Sequence, residues 1–276
     1  MVNNGNEFSQ FQKMIIKNET NQVNPQKNNN YNNVPNNIQI SHANNNAFVR
    51  ANNTSQIMET SGFLDHINSS VEHIIELKEL LIGKIRKYPI ILNIKNQKKV
   101  LILDLDETIL KNVTFQEKNV YSANAIESPS GMKIIFRPFL NYFLTQVSPL
   151  YNIVIFTSAE QTYADEIVNM IDPEKKYFLK RFYRQHCVKI GDHLIKNLDC
   201  FSNIPKESII AFDDNISFFV NNLDNILPSI PYNGSSQDNF LKVATEYLLA
   251  CSRNKSIIEF NIQNLNLSKL LSKDLA

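Results

Sequence analysis

VLILDLDETIL, residues Val100–Leu110, is the stretch that decides the fold of this chain. A continuous apolar run that ends in acidic residues is typical of a strand buried on both faces of a parallel sheet. Two similar runs follow, Tyr151–Thr157 (YNIVIFT) and Ser208–Phe212 (SIIAF). Helical patterns occur at Phe139–Ser148 and Gln161–Ile171. The alternation of buried strands and helices predicts an α/β fold with a doubly wound, mainly parallel sheet.

Three smaller elements complete the predicted core. Cys187–Ile190 and His193–Lys196 flank a Gly-Asp pair, which predicts a β-hairpin. A short strand near Ile226–Ile230 and a helix around Asp238–Cys251 follow. The main domain therefore covers residues 98–260, and residues 261–276 are a predicted C-terminal tail.

The N-terminal 62 residues have a different composition from the rest. Asn occupies 18 of the first 60 positions, among Gln, Ser and Pro. Such a segment cannot bury enough apolar surface to offset the entropy of ordering, so residues 1–62 are predicted to be a disordered tail. Asn-rich tracts can self-associate or can reflect biased codon usage. The second explanation is favoured, and the tail is assigned no function.

Residues 63–97 form a predicted amphipathic helix and a connector. Ser69 followed by Glu72 is a capping-box pattern, which places the helix start there. Apolar residues then recur at helical spacing from Ile74 to Ile85, and Pro89 ends the pattern. The apolar stripe either packs on the main domain or binds a partner, and packing is favoured.

Composition limits the classes of partner and compartment. The formal net charge is +1, so the chain as a whole favours neither nucleic acid nor a membrane surface as a partner. Its three cysteines form no C-x-x-C pair, which argues against a disulfide framework and a Cys-rich zinc site. No apolar run approaches the ~20 residues of a membrane span, and the N-terminus lacks a secretory signal. A nuclear or cytoplasmic protein is expected.

Polar residues follow all three predicted buried strands. Asp104, Asp106 and Thr108 follow the first, Thr157-Ser158 ends the second, and Asp213-Asp214 ends the third. Ligands of open parallel sheets bind beyond the carboxyl ends of the strands. We therefore expect these side chains to converge at one edge of the sheet.

The spacing of Asp104 and Asp106 suits phosphate chemistry. Side chains two apart on a strand point the same way, so both carboxylates can face one site while Leu105 packs in the core. One carboxylate can attack phosphorus to form an acyl-phosphate, and its neighbour can transfer protons. Two acids beside a phosphate need a cation, and Mg²⁺ prefers such oxygen ligands, with Asp213 and then Asp214 completing its coordination. The alternative is that these aspartates only shape turns after strands.

Here the residues resemble a known family. ILDLDETIL resembles the opening motif of the haloacid dehalogenase superfamily. The wider pattern resembles the RNA polymerase II C-terminal domain (CTD) phosphatase-like family, which includes the small CTD phosphatases, Dullard and the NLI-interacting-factor-like proteins. The matching motifs are Arg137-Pro138, Phe156-Thr157-Ser158, Tyr163-Ala164-Asp165, Cys187-Val188, Lys196-Asn197-Leu198 and Ile209–Asp214. The resemblance as a whole covers about residues 98–252.

The resemblance implies roles for individual residues. Asp104 would be the nucleophile, and Asp106 the general acid/base with its backbone carbonyl on the metal. Asp213 would be a further metal ligand, while Thr157 and Lys196 would bind the phosphoryl oxygens. Thr108, Arg137, Ser158 and Asp214 would support the site. Taken alone, Lys196 could equally be a solvated surface lysine and Thr157 a strand-end cap.

Two positions depart from the family pattern. Asn197 stands where the family usually has Asp, which predicts weaker support for Lys196. Asp214 stands where the small phosphatases have Asn. Neither change removes a core catalytic group.

The lengths of the connections favour a protein substrate. Only about 25 residues separate Asp106 from the next core strand, too few for an independently folded cap domain. An uncapped site admits a phosphorylated peptide, so the sequence predicts a Mg²⁺-dependent protein serine/threonine phosphatase, with the RNA polymerase II CTD as a candidate substrate. The alternatives are a catalytically weak phosphatase-like binding module and a small-molecule phosphatase.

Overall fold

The computed structural model describes residues 62–81, 89–114 and 124–270. The predicted N-terminal tail lies almost entirely outside these ranges, as does the segment before Pro89 in which the first helix was expected to end. The described strands are β1 (Lys99–Leu103), β2 (Leu110–Val113), β3 (Ile126–Glu127), β4 (Lys133–Phe136), β5 (Tyr151–Phe156), β6 (Phe178–Phe182), β7 (Val188–Ile190), β8 (His193–Ile195), β9 (Ile209–Asp213) and β10 (Ile226–Pro228). The described α-helices are α1 (Phe63–Leu81), α2 (Leu140–Val147), α3 (Gln161–Ile171), α4 (Phe240–Ser252), α5 (Ile257–Asn264) and α6 (Leu267–Leu270).

A five-stranded parallel sheet in the order β10-β9-β1-β5-β6 forms the centre of the molecule. The chain leaves the central strand β1 toward β5 and β6, then returns to β9 and β10 on the other side. The strand order therefore reverses between β1 and β9, the position where α/β sheets usually bind ligands. The predicted fold class, an α/β fold with a doubly wound, mainly parallel sheet, is confirmed.

The central strands β1, β5 and β9 form where the sequence is almost continuously apolar. Every residue of β5 and β9 is buried, as is all of β1 after Lys99. Helices α2 and α4 cover Phe212 of β9, with Phe143 and Phe240 placing their rings 5.6 Å and 6.3 Å from it. Apolar burial on this scale is the main force that holds the sheet and helices together.

The segment between β1 and α2 contains a small antiparallel sheet in the order β2-β4-β3. The sequence predicts only a turn at Ser128–Met132 and an apolar run behind it. The turn is present, since the Ser128 N–H donates to the Met132 carbonyl at 2.8 Å and Gly131 has a φ of 86°. The hairpin β7–β8 matches its prediction, with Gly191 at a φ of 60°.

Helix α1 begins at Phe63, earlier than the capping pattern predicts. Ser69 lies inside the helix, and its hydroxyl donates to the His66 carbonyl at 2.8 Å. The helix extends further because Phe63 and Ile67 continue the apolar stripe and are both buried. Phe63 stacks on Phe240 at 6.3 Å. The favoured interpretation, that this helix packs on the main domain, is confirmed.

Three further elements were not predicted. Strand β6 (FLKRF) is an edge strand with half-exposed residues, so it lacks the apolar run that marks the central strands. The sequence pattern ends the domain at residue 260. Helix α5 crosses that boundary, and helix α6 follows it. Asn261 of α5 is buried and donates to the carbonyls of Asp224 and Ile226 at 3.0 Å and 3.2 Å.

No helix within the described ranges combines the length and apolar character that crossing a bilayer requires.

Candidate active site

Asp104 and Asp213 meet at the carboxyl edge of the sheet because their strands are paired. Leu103 of β1 lies opposite Phe212 of β9, and the Asp104 N–H donates to the Phe212 carbonyl at 3.1 Å. Lys196, which follows β8, places its ammonium between the two carboxylates. Its Nζ lies 2.8 Å from Asp104 Oδ1 and 2.5 Å from Asp213 Oδ2.

Lys196 is completely buried, with 0% of its surface exposed, so it is not the solvated lysine that its residue type alone suggests. Burial lowers the pKa of this amine, but Asp104 and Asp213 outweigh that effect and hold its pKa above the usual lysine range. The aromatic faces of Phe218 and Phe219 lie 4.9 Å and 5.9 Å from Nζ. The site therefore contains a fixed, protonated cation.

Asp214 joins Asp104 and Asp213 in one carboxylate cluster, with one oxygen of each lying within 4.8 Å of the others. Burial, together with repulsion from neighbouring carboxylates, raises the pKa of Asp213 to about 7 and that of Asp214 to about 8. One ammonium cannot balance this many buried acids. A hard divalent cation with oxygen ligands would do so, and Mg²⁺ has that preference. The residues present thus fit the predicted magnesium site.

The ligand atoms available on Asp213 and Asp214 differ. Both Asp213 oxygens already accept hydrogen bonds, from Lys196 and from the Asn215 N–H at 2.9 Å. Asp214 Oδ1 accepts from the Thr108 hydroxyl at 3.0 Å. The structure thus brings Asp214, predicted as a supporting residue and as a further ligand to the metal, into one cluster with Asp104 and Asp213.

Asp106 lies beside the cluster and is held by a tyrosine. Leu105 between the two aspartates is fully buried, which agrees with the predicted alternation of side chains. The Tyr163 hydroxyl donates to Asp106 Oδ1. Burial raises the pKa of Asp106 to about 6, although the Tyr163 hydrogen bond opposes the rise. A carboxyl group with a pKa near neutrality suits proton transfer in both directions.

Thr108 connects the loop after Asp106 to Asp214. Its hydroxyl oxygen accepts the Asp214 N–H at 3.0 Å while its hydrogen is donated to Asp214 Oδ1. Arg137 holds the Thr108 carbonyl at 2.9 Å and the Ser229 hydroxyl at 2.8 Å. The rest of its guanidinium forms a two-bond pair with Asp238, with both bonds at 2.9 Å. Arg137 therefore holds the loop that follows Asp106 in place.

Thr157 and Ser158 lie at the end of β5, the strand next to β1. Thr157 is buried, and its N–H donates to the Phe182 carbonyl at 3.0 Å. The Thr157 hydroxyl accepts the Ala159 N–H at 3.1 Å, as a strand-end cap would. That bond leaves the hydroxyl hydrogen available to a phosphoryl oxygen.

The hydrogen bond of the Asn197 side chain is made within its own turn and not with Lys196. Its side-chain oxygen accepts the Asp199 N–H at 3.1 Å and caps a single 3-10 turn. Its Nδ2 is buried without a hydrogen-bond partner among the described residues. Lys196 is instead held by Asp104, Asp213 and, through its backbone N–H, the Phe218 carbonyl at 2.8 Å.

Two residues near the cluster were not assigned to the site from the sequence. Tyr163 was recognised only as part of a motif, although its place in the first turn of the helix after β5 puts it at the carboxyl edge of the sheet. His66 contacts the Asp214 carbonyl through Nε2 at 2.6 Å. No local sequence signal marks His66, because its partner is 148 residues away.

Several known proteins are similar to this chain in sequence. A model of the NLI interacting factor-like phosphatase family matches residues 99–258, more than half of the chain. Nuclear envelope morphology protein 1 of Schizosaccharomyces pombe is 34% identical over 144 residues, which cover 50% of this chain and 30% of that protein. CTD small phosphatase-like protein 3 of Caenorhabditis elegans is 29% identical over 159 residues, which cover 55% of this chain and 52% of the relative. CTD nuclear envelope phosphatase 1B of Danio rerio is 25% identical over 181 residues, covering 61% and 74%.

The matched regions span about a third to a half of the first two relatives. Among solved structures, the RNA polymerase II CTD phosphatase Fcp1 is similar with a TM-score of 0.42 and 19% identity, covering 64% of this chain and 63% of that one.

Proposed function

Because the chain belongs to the NLI interacting factor-like phosphatase family, we propose that it is a Mg²⁺-dependent protein serine/threonine phosphatase that works through an aspartyl-phosphate. One observation carries the proposal. The buried Lys196 ammonium bridges Asp104 and Asp213 at the point where the strand order of the sheet reverses. A structural ion pair has no need of a third and a fourth carboxylate beside it, whereas phosphoryl transfer uses all of them.

The first step is the attack of Asp104 on phosphorus. Lys196 occupies Oδ1 of Asp104, so Oδ2 forms the new P–O bond while the bond to the serine or threonine oxygen breaks. Asp106, held by Tyr163, donates its proton to that leaving oxygen. Lys196 and Thr157 bind the phosphoryl oxygens, since fixed donors aimed at developing charge lower the barrier.

The second step regenerates the enzyme. Asp106, now ionised, takes a proton from water as the water oxygen bonds to phosphorus. The acyl-phosphate bond breaks, inorganic phosphate leaves, and the Asp104 carboxylate is restored. The metal would be held by the Asp104 and Asp213 carboxylates, the Asp106 carbonyl and the neighbouring Asp214. When bound, it would neutralise the repulsion between these acids and the incoming phosphate.

A phosphorylated protein is the proposed substrate. The insert after β1 forms the small sheet β2-β4-β3 in the described residues, which is far smaller than a cap domain that encloses metabolites. The names of several relatives refer to the CTD, so the RNA polymerase II CTD is a candidate substrate. We propose a nuclear or cytoplasmic location. The names of two relatives refer to the nuclear envelope, which makes the nucleus the first place to look.

The test is phosphate release from phosphoserine and phosphothreonine peptides, including CTD repeats, with and without Mg²⁺. The wild type should release phosphate, and Asp104→Asn should reduce the rate by about 10³-fold or more, since the amide cannot form the intermediate. Asp192→Asn, in the exposed hairpin turn, is the matched control and should keep the full rate.

Three outcomes would decide against the proposal. Phosphate release at the same background rate in the wild type and in Asp104→Asn would favour a phosphatase-like binding module. Release from small phosphate esters but not from phosphopeptides would favour a small-molecule phosphatase. Full activity without any divalent cation would remove the metal from the mechanism.

A further inference from the structure

Helix α1 precedes the region that the family model matches, yet it reaches the candidate active site. The family match begins at residue 99, whereas α1 covers Phe63–Leu81. Through His66, α1 touches the loop that follows β9 and carries Asp214.

The helix is firmly attached to the main domain. One stripe of its apolar residues is buried in the same core as the central sheet: Phe63, Ile67, Val71, Ile74 and Leu77. At most 8% of any of these residues is exposed. The helix therefore has a defined position and can hold a partner group in place.

The contact from α1 to the site is a hydrogen bond to backbone. His66 Nε2 lies 2.6 Å from the Asp214 carbonyl oxygen. A carbonyl can only accept, so Nε2 carries the proton and donates it. His66 is half-buried, which shields the bond from competing water.

This bond completes the restraint of Asp214. The Asp214 N–H and carboxylate Oδ1 are both bound by the Thr108 hydroxyl, each at 3.0 Å. The carbonyl is bound by His66 alone among the described side chains. Asp214 is thus held between two segments that are far apart in the sequence.

We propose that His66 is a positioning residue that fixes Asp214 for metal binding, and that α1 is therefore part of the active centre. The inference rests on the proposed function, since it assumes that the carboxylate cluster binds Mg²⁺. Asp214 lies among buried acids that repel it, so without a restraint its loop would move away from them. Mutation of a group that orients a metal ligand typically lowers the metal affinity by about 10- to 100-fold.

The test measures Mg²⁺ binding to the full chain, without reference to turnover. Titration calorimetry with MgCl₂ should show binding to His66→Ala that is about tenfold weaker than to the wild type. His66→Gln keeps an N–H donor of similar reach and should restore the affinity to within about twofold. His73→Ala is the matched control, because His73 lies on the same helix and contacts the His193 ring at 5.1 Å. Its Mg²⁺ affinity should equal that of the wild type.

Hydrogen exchange gives a second measurement that needs no metal. In His66→Ala, the amides of the 213–219 segment should exchange faster than in the wild type, while those of β1 and β5 should not change. The inference is overturned if His66→Ala binds Mg²⁺ as tightly as the wild type, or if His73→Ala weakens Mg²⁺ binding as much as His66→Ala does. If the wild type binds Mg²⁺ but releases no phosphate, the proposed function fails while the role of His66 is still decided by metal affinity.

Discussion

At the scale of single residues, Asp106, the proposed proton-transfer group, is held by a residue from another element. Asp106 follows β1, whereas the hydroxyl that holds it belongs to Tyr163 in the first turn of α3. A carboxyl group that must give and take a proton within one cycle gains from a fixed orientation, because proton transfer needs hydrogen-bond geometry.

Tyr163→Phe should therefore lower kcat by about tenfold while leaving KM unchanged. The substitution keeps the ring and removes the hydroxyl, which bonds to Asp106 and also to the Asn112 side chain. We expect proton transfer, and not substrate binding, to be the step affected. Steady-state kinetics on the best phosphopeptide provides the measurement. Tyr177→Phe is the control, because the Tyr177 hydroxyl contacts Thr145 at 3.4 Å and the Lys176 side chain. A wild-type kcat for Tyr163→Phe would show that Asp106 is oriented by other contacts.

Arg137 also relies on partners from other segments of the chain, but it supports the site and has no proposed chemical role. Arg137→Lys should destabilise the protein by about 1–3 kcal/mol. The lysine keeps a charge opposite Asp238, but it cannot reproduce the forked pair or both bonds to the Thr108 carbonyl and the Ser229 hydroxyl. Urea unfolding followed by circular dichroism measures the change. Arg184→Lys is the control, since the Arg184 side chain is 52% exposed in its pair with Glu160 and should change stability by less than about 1 kcal/mol. If both variants lost the same free energy of unfolding, burial of the Arg137–Asp238 pair would add nothing to stability.

At the scale of elements, the strands and the first helix were predictable to different degrees. The buried strands β1, β5 and β9 were found from their apolar runs, because a strand covered on both faces needs no polar positions. The start of α1 was misplaced at Ser69, because a capping pattern is a local signal and the buried Phe63 and Ile67 override it. Strand β6 was missed because an edge strand keeps polar residues on its surface.

The attachment of α1 can be tested through its core residues. Ile74→Ala should destabilise the protein by about 2–5 kcal/mol, because Ile74 is completely buried and its loss leaves a cavity. Thermal and urea unfolding should still show a single transition. Leu64→Ala, at a position 45% exposed on the same helix, should change stability by less than about 0.5 kcal/mol. If Ile74→Ala lowered the free energy of unfolding as little as Leu64→Ala does, the packing of α1 on the main domain would not contribute to stability.

At the scale of the whole molecule, the active centre is a concentration of like charge in a nearly neutral chain. The formal net charge is +1, yet four carboxylates surround one ammonium at the sheet edge. Such a cluster opposes folding until a cation compensates it, so metal binding and stability are linked.

Mg²⁺ should therefore raise the unfolding free energy, by about 2.7 kcal/mol when its concentration is 100 times its Kd. Differential scanning calorimetry with and without Mg²⁺ measures the shift, and EDTA should reverse it. In Asp104→Asn the shift should be smaller, because one ligand charge is gone. A Tm that does not respond to Mg²⁺ would show that the cluster does not bind the ion under those conditions.

The sequence alone determined the sheet, its parallel strands and the acids at their ends, because burial of continuous apolar runs is a local property that the chain carries in its pattern. It also identified Lys196 through a family motif. Only the tertiary structure decided that Lys196 is buried between Asp104 and Asp213, that Asp214 joins their cluster, and that Tyr163 and His66 reach the site. Those contacts join residues far apart in the chain, and their existence depends on how α1, α3 and the β7–β8 hairpin pack on the sheet. Apolar patterning thus predicted the edge of the sheet at which the acids gather, whereas packing determined the partner of each charged group.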